Sequence, residues 1–437
     1  MIRSRLASLG MLLVLAACGT QSNSPSSATP APEEAVTITF WHGQSGVLGQ
    51  RLQTLIDQFN SSHKIHVNAS FEGSYTSGQL QQKIVAAIQA GTPPDLAQVP
   101  GPADAAQFVK ANAVTPVQQF VDSPDGFSAS QLKDFYPAFL DDNRLVVNGK
   151  KELVSWPLSK SVSVLYYNPT LVQQAGISST PKTWNEFRQD LLAVKQHSSA
   201  VPLEWTPDLY YFWAAYLRGN GGDILTRSLD KAAFDNDRGV AALQYEANLV
   251  LSDKTAVVTK GFDWQNDFAN GKVAYSVSTS VSLPYIEQAM PASGKFQIGE
   301  ASLPAGSVKA GNTLFGNNLL IFNKAPQSHQ RAAWLFMKWL TDTDQTVAWA
   351  LASGYLPLRN SALKSSTYQQ KVAADPRLSV PLAAVSSGAE GVQASPDWNK
   401  LQPILNDMVV AALAGRKTPQ KAISDAANQV NSTLSGY

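Results

Sequence analysis

Paired carboxylates are the groups in this sequence that could most directly do chemistry. Asp141 and Asp142 are adjacent, and Asp263 and Asp267 lie about one helical turn apart. A secreted glycosidase uses two carboxylates, one to protonate the leaving oxygen and one to activate water or attack the sugar. Both pairs lie in contexts typical of solvated charges on loops or helices. This favours a structural role for these carboxylates over a catalytic one.

Other catalytic patterns do not occur in the sequence. It contains no G-x-S-x-G turn, P-loop or complete G-x-G-x-x-G. His63 and His66 could form a metal pair, but no further ligands cluster with them, so a solvent-facing loop is the better interpretation. We therefore expect no catalysis, no metal and no cofactor.

The N-terminal segment has the pattern of an export signal. Arg3 and Arg5 precede an apolar stretch at 12–15, which is followed by small residues and Cys18. Leu-Ala-Ala-Cys is the form of a bacterial lipobox, in which the cysteine thiol receives a diacylglycerol before cleavage. We predict a lipoprotein signal peptide at 1–17. An ordinary cleaved signal with an incidental cysteine is the alternative.

A polar tether follows the cysteine. Residues 21–34 read QSNSPSSATPAPEE, which is too poor in apolar side chains to build a core, so residues 18–35 are expected to be disordered. Cys18 is the only cysteine in the chain. No disulfide can form within the chain, and a large hydrophobic core has to stabilise the fold.

Length and charge narrow the class of protein further. Removing the signal leaves 420 of the 437 residues, more than one core usually covers, so two domains are expected. The formal net charge is +1, and no long basic run is present to bind nucleic acid. No later apolar run has the length of a membrane span, so membrane attachment would depend on the lipid.

Strand and helix patterns alternate from residue 36 onward. Strands are predicted at 36–40, 65–69 and 96–99, and helices at 48–59 and 80–88. This order predicts an α/β fold with a parallel, doubly wound sheet. A second α/β block extends to about residue 322, and the remainder is mainly helical.

Candidate binding residues follow the predicted strands. In doubly wound sheets ligands lie beyond the carboxyl ends of the strands. The segments in that position here are 41–44, 71–75 and 100–104, and they carry Trp41, His42, Tyr75 and Asp104.

Seven motifs are spread along the chain after the tether. They are FWHGQSGVLG at 40–49, LVSWPL at 153–158, VLYYN at 164–168, PKTWNEF at 181–187, FANGKVAY at 268–275, SGYLPL at 353–358 and GRKTPQKA at 415–422. Together they resemble family 1 extracellular solute-binding proteins, with the glycerol-3-phosphate-binding branch most similar. The resemblance covers nearly everything after the tether, in the family's order.

The resemblance implies a two-lobed, type II periplasmic-binding-protein-like fold with a hinge between the lobes. The implied first lobe is 36–160 plus 280–326, and the implied second lobe is 161–279 plus 327–437. The chain would cross between lobes near 158–164, near 280 and near 325. Ligand would be held in the cleft between the lobes and favour the closed state.

The resemblance also implies a set of ligand contacts in the cleft. Besides Tyr75, these are Ser161, Trp205, Thr279, Ser280, Gly316, Asn317 and Tyr355. Tyr75 could instead be a turn tyrosine and Ser161 a plain strand serine, and most of the ten tryptophans must be core or lobe surface. Tyr355 follows Ser-Gly in a turn, which favours a presented phenol over a buried one. Asn317 replaces the second glycine of the branch.

Two departures from the branch bear on the ligand. Its phosphate-pairing arginine has no counterpart in 390–398, and its acidic residue after the third strand is replaced by Pro100–Pro102. Asp104 could substitute for that acid if the loop is reshaped. These losses favour a neutral sugar or oligosaccharide over glycerol-3-phosphate or a glycerophosphodiester.

The sequence thus predicts an extracytoplasmic, lipid-anchored binding protein of an ABC importer, acting as a monomer and delivering a carbohydrate or polyol to permease subunits. In a cell with an outer membrane its location would be periplasmic. A secreted glycosidase and a structural or adhesive lipoprotein remain as alternatives.

The anchor can be tested directly. Replacing Cys18→Ser removes the thiol that receives the lipid, and we expect the mature protein to move from the membrane fraction to the soluble fraction on cell fractionation. Retention of the Cys18→Ser protein with membranes would show that something other than the lipid holds it there.

Overall fold

The computed structural model describes residues 31–74, 78–205, 209–293 and 296–435. Cys18, the predicted signal at 1–17 and most of the tether lie outside this range, and so does Tyr75. Among the described residues, no helix is both long and apolar enough to cross a membrane.

The strands of the described residues run as follows. They are β1 Thr37–His42, β2 His66–Phe71, β3 Leu96–Val99, β4 Val114–Thr115, β5 Arg144–Val147, β6 Lys150–Leu153, β7 Trp156–Tyr167, β8 Val201–Trp205, β9 Ala256–Val258, β10 Val273–Thr279, β11 Gly299–Ala301 and β12 Leu314–Phe322.

The helices of the first part of the chain precede and follow these strands. They are α1 Gly46–Ser62, α2 Gln79–Ala90, α3 Pro102–Lys110, α4 Gln118–Val121, α5 Ala129–Asp134, α6 Pro137–Asp141, α7 Pro169–Gln174, α8 Trp184–His197, α9 Leu209–Gly219, α10 Asp237–Ala247, α11 Asp263–Ala269 and α12 Leu283–Ala289.

Helices dominate after β12. They are α13 Gln327–Leu340, α14 Thr343–Ser353, α15 Asn360–Lys364, α16 Ser366–Ala374, α17 Val380–Ser386, α18 Trp398–Leu413 and α19 Pro419–Ser435, with single turns at Asn248–Ser252, Ser280–Ser282 and Pro376–Ser379.

Two groups of parallel strands meet at one long strand. The order is β2-β1-β3-β12-β7-β10-β8-β9, with β11 also on β7 and β4 on β12. β1 is parallel to β2 and β3, and β8 is parallel to β9 and β10. β12 and β7 run antiparallel to their neighbours. The predicted α/β class is therefore confirmed, with antiparallel strands at the junction of the two groups.

Strand β7 belongs to both groups. Residues up to Val162 pair with β12, and from Ser163 onward the partner is β10. Eleven of its twelve residues are buried, because sheet neighbours lie on both edges and helices cover its faces. The predicted interlobe strand at Ser161 is found at this change of partner.

Each group of strands has its own aromatic core. In the first lobe, Trp156 and Trp334 pack with ring centroids 5.2 Å apart, and Phe59 contacts Phe336 at 5.0 Å. In the second lobe, a buried cluster surrounds Trp184, Trp213 and Tyr275. Edge-to-face packing of this kind adds to the stabilisation from burying apolar area.

The described packing corrects two of the expected lobe assignments. Residues 280–311 were expected in the first lobe, but β11 pairs with the Leu165–Tyr167 end of β7, and Ala305 pairs with Thr183. Residues 327–353 were expected in the second lobe, but α13 packs on β1 and β12, and α14 packs on α1. The chain therefore does not cross near 325. The apolar face of α13 covers the first sheet, and α14 packs beside it on α1.

The first described residues are held on the first lobe. The Arg331 guanidinium donates to the carbonyl oxygens of Ala31 at 2.6 Å and Pro32 at 3.0 Å, and it also pairs with Asp125 at 2.6 Å. The Glu33 carboxylate accepts the backbone N–H of Lys64 at 2.6 Å. These contacts fix where the chain enters the folded body.

A buried carboxyl in the second lobe makes stability depend on pH. Glu300 on β11 lies opposite Tyr166 and is only 8% exposed, and its Oε1 has no hydrogen-bond partner among the described residues. Burial raises the pKa of Glu300 to about 8, while Arg377 acts in the opposite direction. The protonated form is therefore the one that the fold accommodates.

We expect Glu300→Gln to stabilise the protein relative to wild type more at high pH than at low pH. Because the pKa of Glu300 is raised in the folded protein, the protonated wild type is most stable below about pH 4.5. Its free energy of unfolding then falls as the pH rises toward 8, by about 1.4 kcal/mol per pKa unit. Urea unfolding at several pH values should show the difference growing by a few kcal/mol. Asp57→Asn, which removes an exposed carboxylate on α1, is the control. A pH-independent difference for Glu300→Gln would contradict the expectation.

Candidate functional site

A cavity of about 720 Å³ lies where β7 changes partner, with walls from both lobes. Most of its polar wall atoms come from hydroxyl and amide side chains or from the backbone. Its lining in the first lobe includes Gly43, Gln44, Ser45, Ser74, Gln81, Gly101, Ala103, Asp104, Asp142, Ser161, Gly316, Asn317, Ser353 and Tyr355. From the second lobe it includes Trp205, Tyr211, Phe212, Phe262, Gln265, Ser278, Thr279, Tyr285, Trp398, Asn399 and Gln402.

Most of the residues predicted from the sequence meet at this cavity. Those in its wall are Asp104, Ser161, Trp205, Thr279, Gly316, Asn317 and Tyr355. Trp41, His42 and Ser280 are not among the lining residues. Tyr75 lies outside the described residues. Contact with ligand stays a prediction for all of these side chains.

Trp41 and His42 support the loop that reaches the cavity. The His42 side chain is buried, packs 5.6 Å from the Phe40 ring centroid, and accepts the backbone N–H of Gln44 at 3.3 Å through Nδ1. Burial lowers the pKa of His42, which favours this neutral acceptor. Trp41 packs against the apolar cluster of the first lobe. Because side chains alternate along β1, Trp41 and His42 lie on opposite faces of the sheet.

Gln44 is the cavity residue that this loop presents. Its side chain is 2% exposed, and its Nε2 has no hydrogen-bond partner among the described residues. The backbone N–H of the preceding Gly43 donates to Gln98 Oε1 at 3.1 Å and so fixes the loop. Gln44 was not singled out from the sequence because a glutamine in a loop carries no pattern.

Gly316 occupies a position that only glycine can fill. Its φ is +133°, and a Cβ there would lie 1.9 Å from the carbonyl oxygen of Ser159 on β7. The close approach of β12 to β7 brings the backbone of Gly316 into the cavity wall. The pairing shifts by one residue directly afterwards, between Asn317 and Asn318.

Asn317 and Tyr355 form a pair within the wall. Asn317 Nδ2 donates to Tyr355 Oη at 3.4 Å, and the Tyr355 ring stacks on Trp349 with centroids 6.3 Å apart. The expectation of a presented Tyr355 phenol is wrong in one respect, since the side chain is only 6% exposed. Stacking on Trp349 holds the ring in the lobe, and part of the side chain still lines the cavity.

A buried ion pair stands behind the cavity. Lys160 on β7 is fully buried, and its Nζ lies 2.5 Å from Asp142 Oδ2. The Asp142 side chain is 8% exposed and lines the cavity, so the interpretation of Asp142 as a solvated charge is wrong. Asp141 is solvated as expected, with its side chain 67% exposed. Gly391 packs against Asp142 so closely that a Cβ would clash with the carboxylate.

Aromatic rings form one wall of the cavity. Tyr211 meets Phe315 edge to face with centroids 4.7 Å apart, Tyr210 lies 3.9 Å from Tyr211, and Trp398 lies 6.1 Å from Tyr210. Trp205 packs on Phe212 at 5.2 Å, and its Nε1 has no acceptor among the described residues. Tyr210 is not among the lining residues but contacts Tyr211 and Trp398. We call the lining side chains of Trp205, Tyr211, Phe212, Phe315 and Trp398 the aromatic wall.

Helix α3 of the first lobe contacts the start of α18 in the second lobe across one side of the cavity. Asn399 Nδ2 lies 3.4 Å from Gln107 Oε1, and the Asn399 side chain also bonds the Asp104 carboxylate. Lys110 pairs with Asp397 at 3.6 Å. Residues 104, 107 and 110 recur every three positions and so share one face of α3. Burial raises the pKa of Asp104 to about 6.

The mixed α/β fold, in which two lobes share a strand and enclose a polar and aromatic cleft, matches the fold of type II periplasmic binding proteins. Residues 54–376 match the family described as bacterial extracellular solute-binding protein, and the chain belongs to that family. Its members bind substrates for transporters and are not enzymes, so the expectation of no catalysis is confirmed.

Individual relatives are distant but cover nearly the whole chain. The sn-glycerol-3-phosphate-binding periplasmic protein of Pectobacterium atrosepticum is 22% identical over 433 residues, which is 92% of each chain. The cyclic alpha-maltosyl-1,6-maltose binding protein of Arthrobacter globiformis superposes with a TM-score of 0.79 at 22% identity, covering 92% of this chain and 100% of that one. UgpB of Mycobacterium tuberculosis in complex with glycerophosphocholine gives 0.77 at 22% identity, covering 91% and 98%.

The ion pair behind the cavity yields a stability prediction. Asp142→Asn leaves the Lys160 ammonium buried without a counter-charge, and we expect it to lower the free energy of unfolding by about 3–5 kcal/mol. Adding Lys160→Met to Asp142→Asn removes that charge and should recover much of the loss. Urea denaturation of the wild type and the two variants measures both effects. Equal stability of wild type and Asp142→Asn would contradict the pairing.

Proposed function

We propose that this chain is the extracytoplasmic binding protein of an ABC importer, which takes a sugar or oligosaccharide into the cleft and delivers it, unmodified, to the permease. The protein would act as a monomer, attached to the membrane by the lipid on Cys18. The observation that carries the proposal is the chemistry of the cleft: an aromatic wall faces amide and hydroxyl groups, and among the described lining residues there is no Lys, Arg or His.

Sugars present two kinds of surface, apolar C–H faces and polar hydroxyls, and this lining suits both. Their C–H faces pack on aromatic rings, and their hydroxyls both donate and accept, as Ser161, Asn317 and Gln44 can. The volume of about 720 Å³ lies within the roughly 300–1,000 Å³ usual for small-molecule sites. Family membership and the names of the relatives support the same general role.

Glycerol-3-phosphate or a glycerophosphodiester is the second candidate, since relatives are named for these ligands. The electrostatics of the cleft argue against it here. A phosphate buried in a closing cleft needs a cation or a dense set of N–H donors. Helix N-termini could supply donors, but the first turn of α3 at the cleft already carries Asp104, a buried carboxylate that would repel an anion.

The two ligand classes can be separated by binding alone. A thermal-shift screen of neutral sugars, polyols and their phosphates should raise the melting temperature only with sugars, because a ligand that binds only the native state stabilises it increasingly as its concentration rises above Kd. Calorimetry then measures the affinity, and recovery of the intact sugar shows that no turnover occurs. Stabilisation by sn-glycerol-3-phosphate without stabilisation by any sugar would refute the assignment.

Trp205 provides the matched mutational test. Trp205→Ala removes a ring that lines the cleft, and we expect the affinity for the sugar found in the screen to fall by about 1–3 kcal/mol, with little dependence on salt. Phe71→Ala is the control, since Phe71 is half exposed and is not among the lining residues. Calorimetry on folded variants should show wild-type affinity for the control. An unchanged Kd for Trp205→Ala would mean that its ring does not contact the ligand.

A further inference from the structure

Asp104 is a buried carboxylate that the protein leaves without a counter-charge. It lies in the first turn of α3, is 7% exposed, and lines the cleft. Asn399 bonds it with a neutral amide. Among the ion pairs of the described residues, no Lys, Arg or His nitrogen lies within 4 Å of it. Burying an ionised group without compensation is costly, so a protein keeps one where something else supplies the opposite charge.

The other charged residue of the cleft lining is already neutralised. Asp142 Oδ2 lies 2.5 Å from the buried Lys160 ammonium. Lys110 on the same face of α3 and Lys400 on α18 both pair with Asp397. Asp104 is therefore the charged residue of the described lining that has no ion-pair partner within 4 Å. Although burial raises the pKa of Asp104 to about 6, most of the population is still ionised near pH 7.

The surroundings of Asp104 suit a cation that is attached to a sugar. Asn399, which bonds Asp104, directly follows Trp398, and Trp398 lies 6.1 Å from Tyr210 at one end of the aromatic wall. Aromatic faces attract ammonium groups as well as stacking on sugar rings. A carboxylate beside such a wall offers both the counter-charge and the packing surface that an aminated sugar needs.

We propose that the cleft selects a sugar bearing a basic amine, whose ammonium pairs with Asp104 while its ring packs on the aromatic wall. This inference rests on the proposed function and narrows it from sugars in general to amino sugars. Asp104 is then a specificity-determining residue: its carboxylate attracts a positively charged ligand and repels a phosphorylated one.

Ligand pairs that differ only by amine-for-hydroxyl replacement test the inference. Glucosamine against glucose and galactosamine against galactose replace one hydroxyl by an amine, chitosan disaccharide against cellobiose replaces one in each ring, and diacetylchitobiose removes both charges again. By calorimetry near pH 7, we expect the amine of at least one pair to bind about tenfold or more tightly than its partner, as a partly buried ion pair would give. The acetylated form should lose this advantage.

Variants assign the preference to its residue. Asp104→Asn keeps the shape and the bond to Asn399 possible but removes the charge, and it should abolish the preference, so that the amine and its neutral partner bind the variant with similar affinity. Asp57→Asn, with the same change at an exposed position, should keep the preference. Lowering the pH from about 7 to about 5 should also shrink the preference in the wild type, because Asp104 becomes protonated.

The outcomes separate this inference from the proposed function. Neutral sugars that bind as tightly as their amines, or a preference that survives in Asp104→Asn, would overturn the amine assignment and leave a sugar-binding protein. If no sugar of either kind binds, or if sn-glycerol-3-phosphate alone does, both proposals are wrong.

Discussion

The whole arrangement depends on one strand having two sets of partners. β7 hydrogen-bonds with β12 up to Val162 and with β10 from Ser163 onward, so neither lobe has a complete sheet without it. Sliding this strand would break backbone hydrogen bonds on both sides, whereas twisting it would not. A relative motion of the lobes that keeps these hydrogen bonds would be a rotation about the strand. The same constraint places the cleft, because side chains at the change of partner face both lobes.

Close packing around β7 determines which residues the cleft can contain. Gly316 must be glycine because β12 passes within contact distance of the Ser159 carbonyl. Lys160, in the same strand, is fully enclosed and needs Asp142 as its counter-charge. The Lys160 ammonium behind the cleft is therefore neutralised inside the protein. The described lining presents aromatic rings, amides, hydroxyls and carboxylates, which differs from the cationic environment of a phosphate site.

The alternation of strands and helices was sufficient to predict the α/β class, and the predicted interlobe position of Ser161 matches the change of partner in β7. Local patterns could not show which sheet α13 would cover, since an amphipathic helix fits either lobe. They also could not distinguish Asp141 from Asp142, because the burial of Asp142 depends on Lys160, 18 residues later. Tyr355 was misjudged for a related reason: its turn predicts exposure, but Trp349 supplies a buried stacking partner.

The point where the chain enters the fold has a mechanical consequence. Arg331 on α13 and the N–H groups before β2 hold residues 31–33 against the first lobe. In the proposed lipid-anchored protein, the anchor would thus be joined to the first lobe, and closure on ligand would move the second lobe relative to it. A permease would then recognise loading by the changed position of the second lobe's surface relative to a stationary first lobe.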